Sequence, residues 1–163
     1  MIVVSNASPL IGLAGIGQLE LLQQLYSTIH IPQAVYHEVV ILGTGKTGSD
    51  EVALATWITR HTADPTDTTT VMAATGLDVG ESEAIALAQS VKANYVVLDD
   101  MPGRVYALAQ GLQVIGVVGL LLQGKKQGII PAIKPDLDQL ITNGYWINAK
   151  LYRAALIQAG ETP

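Results

Sequence analysis

Cysteine and phenylalanine are absent from the 163 residues, and Tyr and Trp together make up only 5% of the chain. Without cysteine there is no disulfide and no thiolate metal site, which fits a reducing compartment. Without phenylalanine the core falls to Ala, Leu, Ile and Val, and a 49% hydrophobic content is enough to fill the interior of about one domain. Long apolar runs are missing too. The longest, near Val114 to Leu122, is broken by Gly116 and Gly119 and is far too short to cross a bilayer. No basic segment precedes Ile2-Val3-Val4, so a soluble cytoplasmic protein with no membrane attachment is the expectation. Cations are scarce: nine Lys and Arg face fourteen Asp and Glu, giving a net charge of −5, and the densest basic group is Lys125-Lys126. That balance argues against a broad electrostatic grip on nucleic acid. It leaves room for a local, metal-dependent contact, because a site for a divalent cation is itself acidic.

What is present is an alternation of strand-like and helical patterns, which points to βαβ units and a mainly parallel sheet in a single α/β domain spanning residues 1–163. A strand at Ile2 to Val4 precedes two short helices, Pro9 to Ala14 and Leu19 to Leu25, split by Gly15-Ile16-Gly17. Ile29-His30-Ile31 reads as a strand, and Pro32 is placed to open a helix carrying Val35, Glu38, Val39 and Leu42. After a loop at Gly43 to Gly48 come a helix from Asp50 to Trp57, a candidate strand at Ile58 to His61, and a Thr-rich connection from Thr62 to Thr70. A helix from Gly80 to Val91 leads into a strand at Tyr95. Pro102 to Gln110 is helical, Leu112 to Ile115 strand-like, and Val117 to Gln127, Pro135 to Asn143 and Asn148 to Ala159 are helical.

Two apolar strands run into polar groups at their carboxyl ends: Ile2-Val3-Val4 into Ser5-Asn6-Ala7-Ser8, and Tyr95-Val96-Val97-Leu98 into Asp99-Asp100. Chemistry in open α/β sheets gathers outside those ends. If the strands are neighbours, Asn6, Ser8, Asp99 and Asp100 share one crevice, and so many oxygen ligands suit Mg²⁺ or Mn²⁺. Adjacent carboxylates repel unless solvent, a cation or a cap relieves them, and Asp100 is placed to cap the helix at Pro102.

Other motifs are weaker. Gly43-Thr44-Gly45-Lys46-Thr47 fails as a phosphate loop, because the first glycine of that motif would fall on Val40. His30, His37 and His61 are too scattered for a zinc motif and read as boundary histidines or, less readily, as one catalytic base. In Asp78-Val79-Gly80-Glu81-Ser82-Glu83-Ala84, helical spacing puts Glu81 on the face of Ala84, Ile85 and Ala88, with Glu83 about 200° away. Spacing leaves two readings of Glu81 open, a ligand turned to the sheet or a first-turn acid beside an Asp78 cap. Glu38, among Val35, Val39 and Leu42, divides the same way between crevice and solvent.

Together these residues resemble the PIN domain, the fold of metal-dependent ribonucleases that includes many toxins of toxin and antitoxin pairs. The resemblance runs through Ser5-Asn6-Ala7-Ser8-Pro9-Leu10, Ile31-Pro32, Val35-Tyr36-His37-Glu38-Val39, Gly80-Glu81-Ser82-Glu83-Ala84-Ile85-Ala86-Leu87-Ala88, Leu98-Asp99-Asp100 with Arg104, Val114-Ile115-Gly116 and Leu120-Leu121-Leu122, in order along almost the whole chain. It implies a three-layer α/β/α fold in which the strands ending at Ser5 and Asp99 are neighbours. It further implies a site of Asn6, Glu38, Glu81 and Asp99 or Asp100, assisted by Ser8, holding Mg²⁺ or Mn²⁺ for hydrolysis of single-stranded RNA. An antitoxin protein is the implied partner, and the helices from Val117 and Asn148 offer faces either to the core or to a homodimer. Asn6 departs from the family pattern, where an aspartate is expected. An amide brings no charge to a cation site, so the residues fit either an endoribonuclease or a weakened PIN-like module that binds RNA or a protein.

Overall fold

A computed structural model describes residues 1–163. The chain forms a five-stranded, wholly parallel sheet of β1 (Val3–Ser5), β2 (Ile29–Pro32), β3 (Ile58–His61), β4 (Tyr95–Val97) and β5 (Val114–Ile115), in the order β3-β2-β1-β4-β5. Val3, Val4 and Ser5 stand opposite Tyr95, Val96 and Val97, so the two polar strand ends are neighbours as expected.

The pleat of this pair divides the core. Val3 and Val97 join a cluster of 24 buried residues on one face, while Val4 and Val96 join a cluster of 11 on the other. Strand side chains alternate between faces, so three-residue strands buried on both sides read as unbroken apolar runs. The larger layer includes α1 (Ala7–Gly15), α2 (Glu20–Tyr26), α8 (Val117–Lys126), α9 (Lys134–Thr142) and α10 (Ala149–Gln158), and the smaller is built chiefly on α6 (Val79–Ser90) and α7 (Met101–Ala109). On α8, Val117, Val118, Leu120 and Leu121 are buried in the core.

Three expectations are corrected. The Thr-rich stretch is no simple connection, because α5 (Pro65–Thr75) occupies most of it. Asp64 caps this helix by accepting from the Thr66 and Asp67 amides, Pro65 supplies the first turn, and the hydroxyls of Thr68, Thr69, Thr70 and Thr75 donate to carbonyls four residues back. Threonine's modest helix propensity is thereby outweighed by a strong start signal. Pro32 both ends β2 and stands at the N-cap of α3 (Gln33–Tyr36), but the helix expected to carry Glu38, Val39 and Leu42 passes after Tyr36 directly into a π-helical turn, His37–Leu42. The wider turn breaks the 3.6-residue pattern, leaving Ile41 and Leu42 exposed at 53% and 66%. Finally α4 (Ser49–Leu54) stops short of Trp57.

The histidines are less scattered than the sequence suggests. His30 Nδ1 and His61 Nε2 lie 2.7 Å apart across β2 and β3. Partial burial, then His61, hold the His30 imidazolium below its usual range.

Candidate active site

The strand order reverses direction between β1 and β4, which makes their carboxyl ends the switch point where α/β sheets open a crevice. Asn6 leaves β1 there with its amide bonded to the Val97 carbonyl at 3.1 Å. It occupies the N-cap position of α1, yet its side chain makes no capping bond. Only 3% of the residue is exposed, and its Oδ1 is buried without any hydrogen-bond partner. Leaving such an oxygen unsatisfied costs about 1–3 kcal/mol, so it marks a place where an electropositive partner would be stabilising.

On the β4 side the two aspartates solve their mutual repulsion separately. Asp100 caps α7, its Oδ2 accepting from the Gly103 amide at 2.9 Å. Asp99 turns toward the C-terminal third of the chain, where its Oδ2 accepts from the Val117 amide at 3.2 Å and from the Tyr145 hydroxyl. Burial, and then the Asp99 charge beside it, push the Tyr145 phenol well above its usual range and keep it a donor. Arg104 braces the same corner by donating from Nη1 to the Leu98 carbonyl at 2.8 Å. Glycine is required here for space: a Cβ on Gly116 would stand 2.3 Å from Asp99 Oδ1, and one on Gly12 would stand 2.7 Å from the Tyr145 ring.

The third wall is the start of α6. Asp78 caps it, accepting from the Glu81 amide at 2.9 Å, and so fixes the helix turn that presents Glu81. The face holding Ala84, Ile85 and Ala88 is buried as the spacing implies, with Glu81 half-buried at its end. Glu83 has a different task. Its Oε2 accepts from the Ala34 amide at 3.0 Å, tying α6 to α3 and holding the following π-helical turn alongside. Glu38 on that turn comes close to α6, its Oε2 lying 3.2 Å from where a Cβ on Gly80 would be. Burial, then Asp78, Asp100 and Glu38, push the Glu81 carboxyl above its usual range, against the Asp78 backbone amide, which favours the ionised form. Partial shielding and Asp78 raise Glu38 likewise. The chain's two ion pairs, Lys125–Glu161 and Lys134–Asp138, lie elsewhere, so no salt bridge offsets this repulsion.

Asn6, Ser8, Glu81, Asp99 and Asp100 line one cleft of about 420 Å³, closed by Ile11, Gly144, Tyr145 and Trp146. No lysine or arginine lines it. No three of the Asp, Glu and His side chains converge closely enough to enclose a cation by themselves. The donors are nevertheless all oxygens, and the orphaned Asn6 Oδ1 sits among them, so their chemistry fits a hard divalent ion. A family model described as PIN domain matches residues 2–161. The chain belongs to the PIN-domain family. PIN domains share a nuclease-type fold, and they generally use divalent metal ions and bind RNA. No curated protein and no solved structure matches the chain.

Of the residues expected in the PIN site, five line the cleft and Glu38 stands outside its lining, coupled to it through Glu81 and Asp78. None of the histidines lines it. Sequence reasoning missed Tyr145 and Trp146, which fall between the helices expected at Pro135 to Asn143 and Asn148 to Ala159. They are the only adjacent aromatics in a chain with two Trp and six Tyr, and that concentration was the available signal. It also missed Glu83 as the tie that holds the Glu38 segment in place.

Proposed function

We propose that this PIN domain is a Mg²⁺- or Mn²⁺-dependent endoribonuclease of toxin type that hydrolyses single-stranded RNA in the cleft at the β1/β4 switch point. The observation that carries the reading is Asn6 Oδ1, buried and unpartnered among carboxylates that no salt bridge neutralises. Asn6, Glu81 and Asp100 would hold the ion, with Glu38 joining from the π-helical turn and Asp99 contributing from a fixed position. Such an ion, when bound, activates water and stabilises charge on the phosphodiester.

The chain's own residues prepare that site. Asp100 has one oxygen committed to the α7 cap and one left for the cleft. Asp99 is oriented by Tyr145 and Val117, and Ser8, exposed at the cleft, offers a hydroxyl to a phosphate oxygen. The toxin-type role and its antitoxin partner are supported by the family resemblance.

Cleavage of single-stranded RNA, measured with Mg²⁺ or Mn²⁺ and with EDTA, tests the reading in the wild type, Asp100→Asn and Glu81→Gln. Asparagine is also a good helix cap, so the Asp100 variant keeps its fold. EDTA should abolish cleavage and each substitution should lower it by about a hundredfold or more. Undiminished metal-dependent cleavage in both variants overturns the assignment.

A second reading is favoured by the neutral Asn6 and by the commitment of Asp99 to two donors: a PIN-like module that binds RNA or protein without turnover. Calorimetric titration of Mn²⁺ separates the two. Tighter binding by Asn6→Asp than by wild type supports a cation site; equally negligible binding by both supports the module.

A further inference from the structure

We infer that Trp146 is a stacking platform for an unpaired base of a single-stranded nucleic acid lying in the cleft. The inference rests on the nucleic-acid reading above and deepens it. At 81% exposure Trp146 is the most exposed large apolar side chain of the protein, and it stands on the wall of the acidic cleft. Its neighbours in the chain are both tied down. Tyr145 bonds through its hydroxyl to Asp99 and through its amide to the Leu140 carbonyl, while Ile147 packs against the larger core. Asn148 then caps α10 by accepting from the Leu151 amide at 2.7 Å. An outward indole between two inward, anchored side chains is held at little further entropic cost, which suits it to receive a flat ligand.

Charge narrows the ligand. A polyanion approaching this cleft meets Glu81, Asp99 and Asp100 and no lining cation, in a chain of net charge −5. Phosphate contacts, which dominate most nucleic-acid binding, are therefore a poor source of grip here. Base stacking needs no charge and is available only where bases are unstacked, in single strands. Trp146 thus supplies affinity that the electrostatics withhold, and selects single strands over duplex.

The test uses tryptophan fluorescence in a Trp57→Phe background, so that Trp146 is the only emitter; Trp57 lies in a separate groove with Glu20 and Glu51. Ten-nucleotide single-stranded RNA, the matching DNA, and duplex RNA are titrated in EDTA, with anisotropy of labelled oligonucleotide as a parallel readout. Single strands should quench Trp146 and duplex should not. Trp146→Ala should weaken single-strand binding roughly 5- to 150-fold, and Trp146→Tyr should recover most of it. Comparing RNA with DNA shows whether the platform distinguishes the sugar.

Absence of quenching with every oligonucleotide overturns the inference, as does unchanged affinity in Trp146→Ala. Concentration-dependent self-association lost in Trp146→Ala, without quenching by RNA, also overturns it and assigns the indole to a protein contact. Metal-dependent cleavage by the wild type without quenching removes the platform and leaves the nuclease. Quenching without cleavage keeps the platform and removes hydrolysis.

Discussion

Replacing Tyr145 by Phe removes one hydroxyl and leaves the ring in its seat on Gly12, so the loss isolates the bond to Asp99. A hydrogen bond to a charged group contributes about 1.5–3 kcal/mol. Asp99 keeps its bond from the Val117 amide and is half-buried, so water can replace part of what is lost. The expected cost is therefore roughly 1–2 kcal/mol, near the lower end of that range. For a chain of this length each kcal/mol corresponds to about 2–4 °C, so the midpoint should fall by roughly 2–8 °C. Urea denaturation of wild type, Tyr145→Phe, Asp99→Asn and the double variant completes a cycle in which the two positions should couple by more than about 0.5 kcal/mol. Additive losses would refute the idea that Tyr145 holds Asp99, and RNA cleavage by Tyr145→Phe equal to wild type would refute its positioning role.

Three other perturbations reach different walls of the cleft. Gly116→Ala, in an extended backbone any residue can adopt, places a Cβ against Asp99 Oδ1 and should cost about 1–3 kcal/mol by denaturant unfolding while lowering RNA cleavage. Glu81→Gln should stabilise the metal-free protein at neutral pH, by less than about 1 kcal/mol because solvent screens a half-exposed carboxylate. The sign follows from its raised folded pKa: the ionised form is disfavoured in the folded state, so the gain should shrink as pH falls through that value, and a wild type more stable than Glu81→Gln at pH 7 would contradict it. His30 carries the opposite dependence. Its folded pKa lies below 6.5, so its contribution is complete above that pH and is lost as pH falls toward the folded value, where the unfolded chain takes up the proton first. His30→Gln should flatten this slope in unfolding curves between pH 7.5 and 5.5, and an unaltered slope would show that His30 does not govern it.

The strands and most helices were legible because their signals are local. Val3, Val4, Val96 and Val97 are buried in runs bounded by polar residues, and Asp78 and Asp100 both cap the helices that follow them. What escaped has no local signature, or one masked by propensity. The threonines of α5 hide a helix whose start is set by Asp64 and Pro65, and a π-helical turn leaves no mark in a 3.6-residue pattern. Asp99 was legible as a site residue, but its tether was not: the pairing with Tyr145 spans 46 positions and depends on how α9 and α10 pack.

That spacing bears on the order in which the protein comes into being. Asn6, Glu38, Glu81 and both aspartates leave the ribosome while Val117 and Tyr145, 18 and 46 residues beyond Asp99, are still to follow. A nascent chain can pair β1 with β4 and still carry an untethered Asp99 and a cleft without its aromatic wall. The acids of the site are thus made before the residues that tether and wall it, so the cleft takes its final form only once that later segment has emerged.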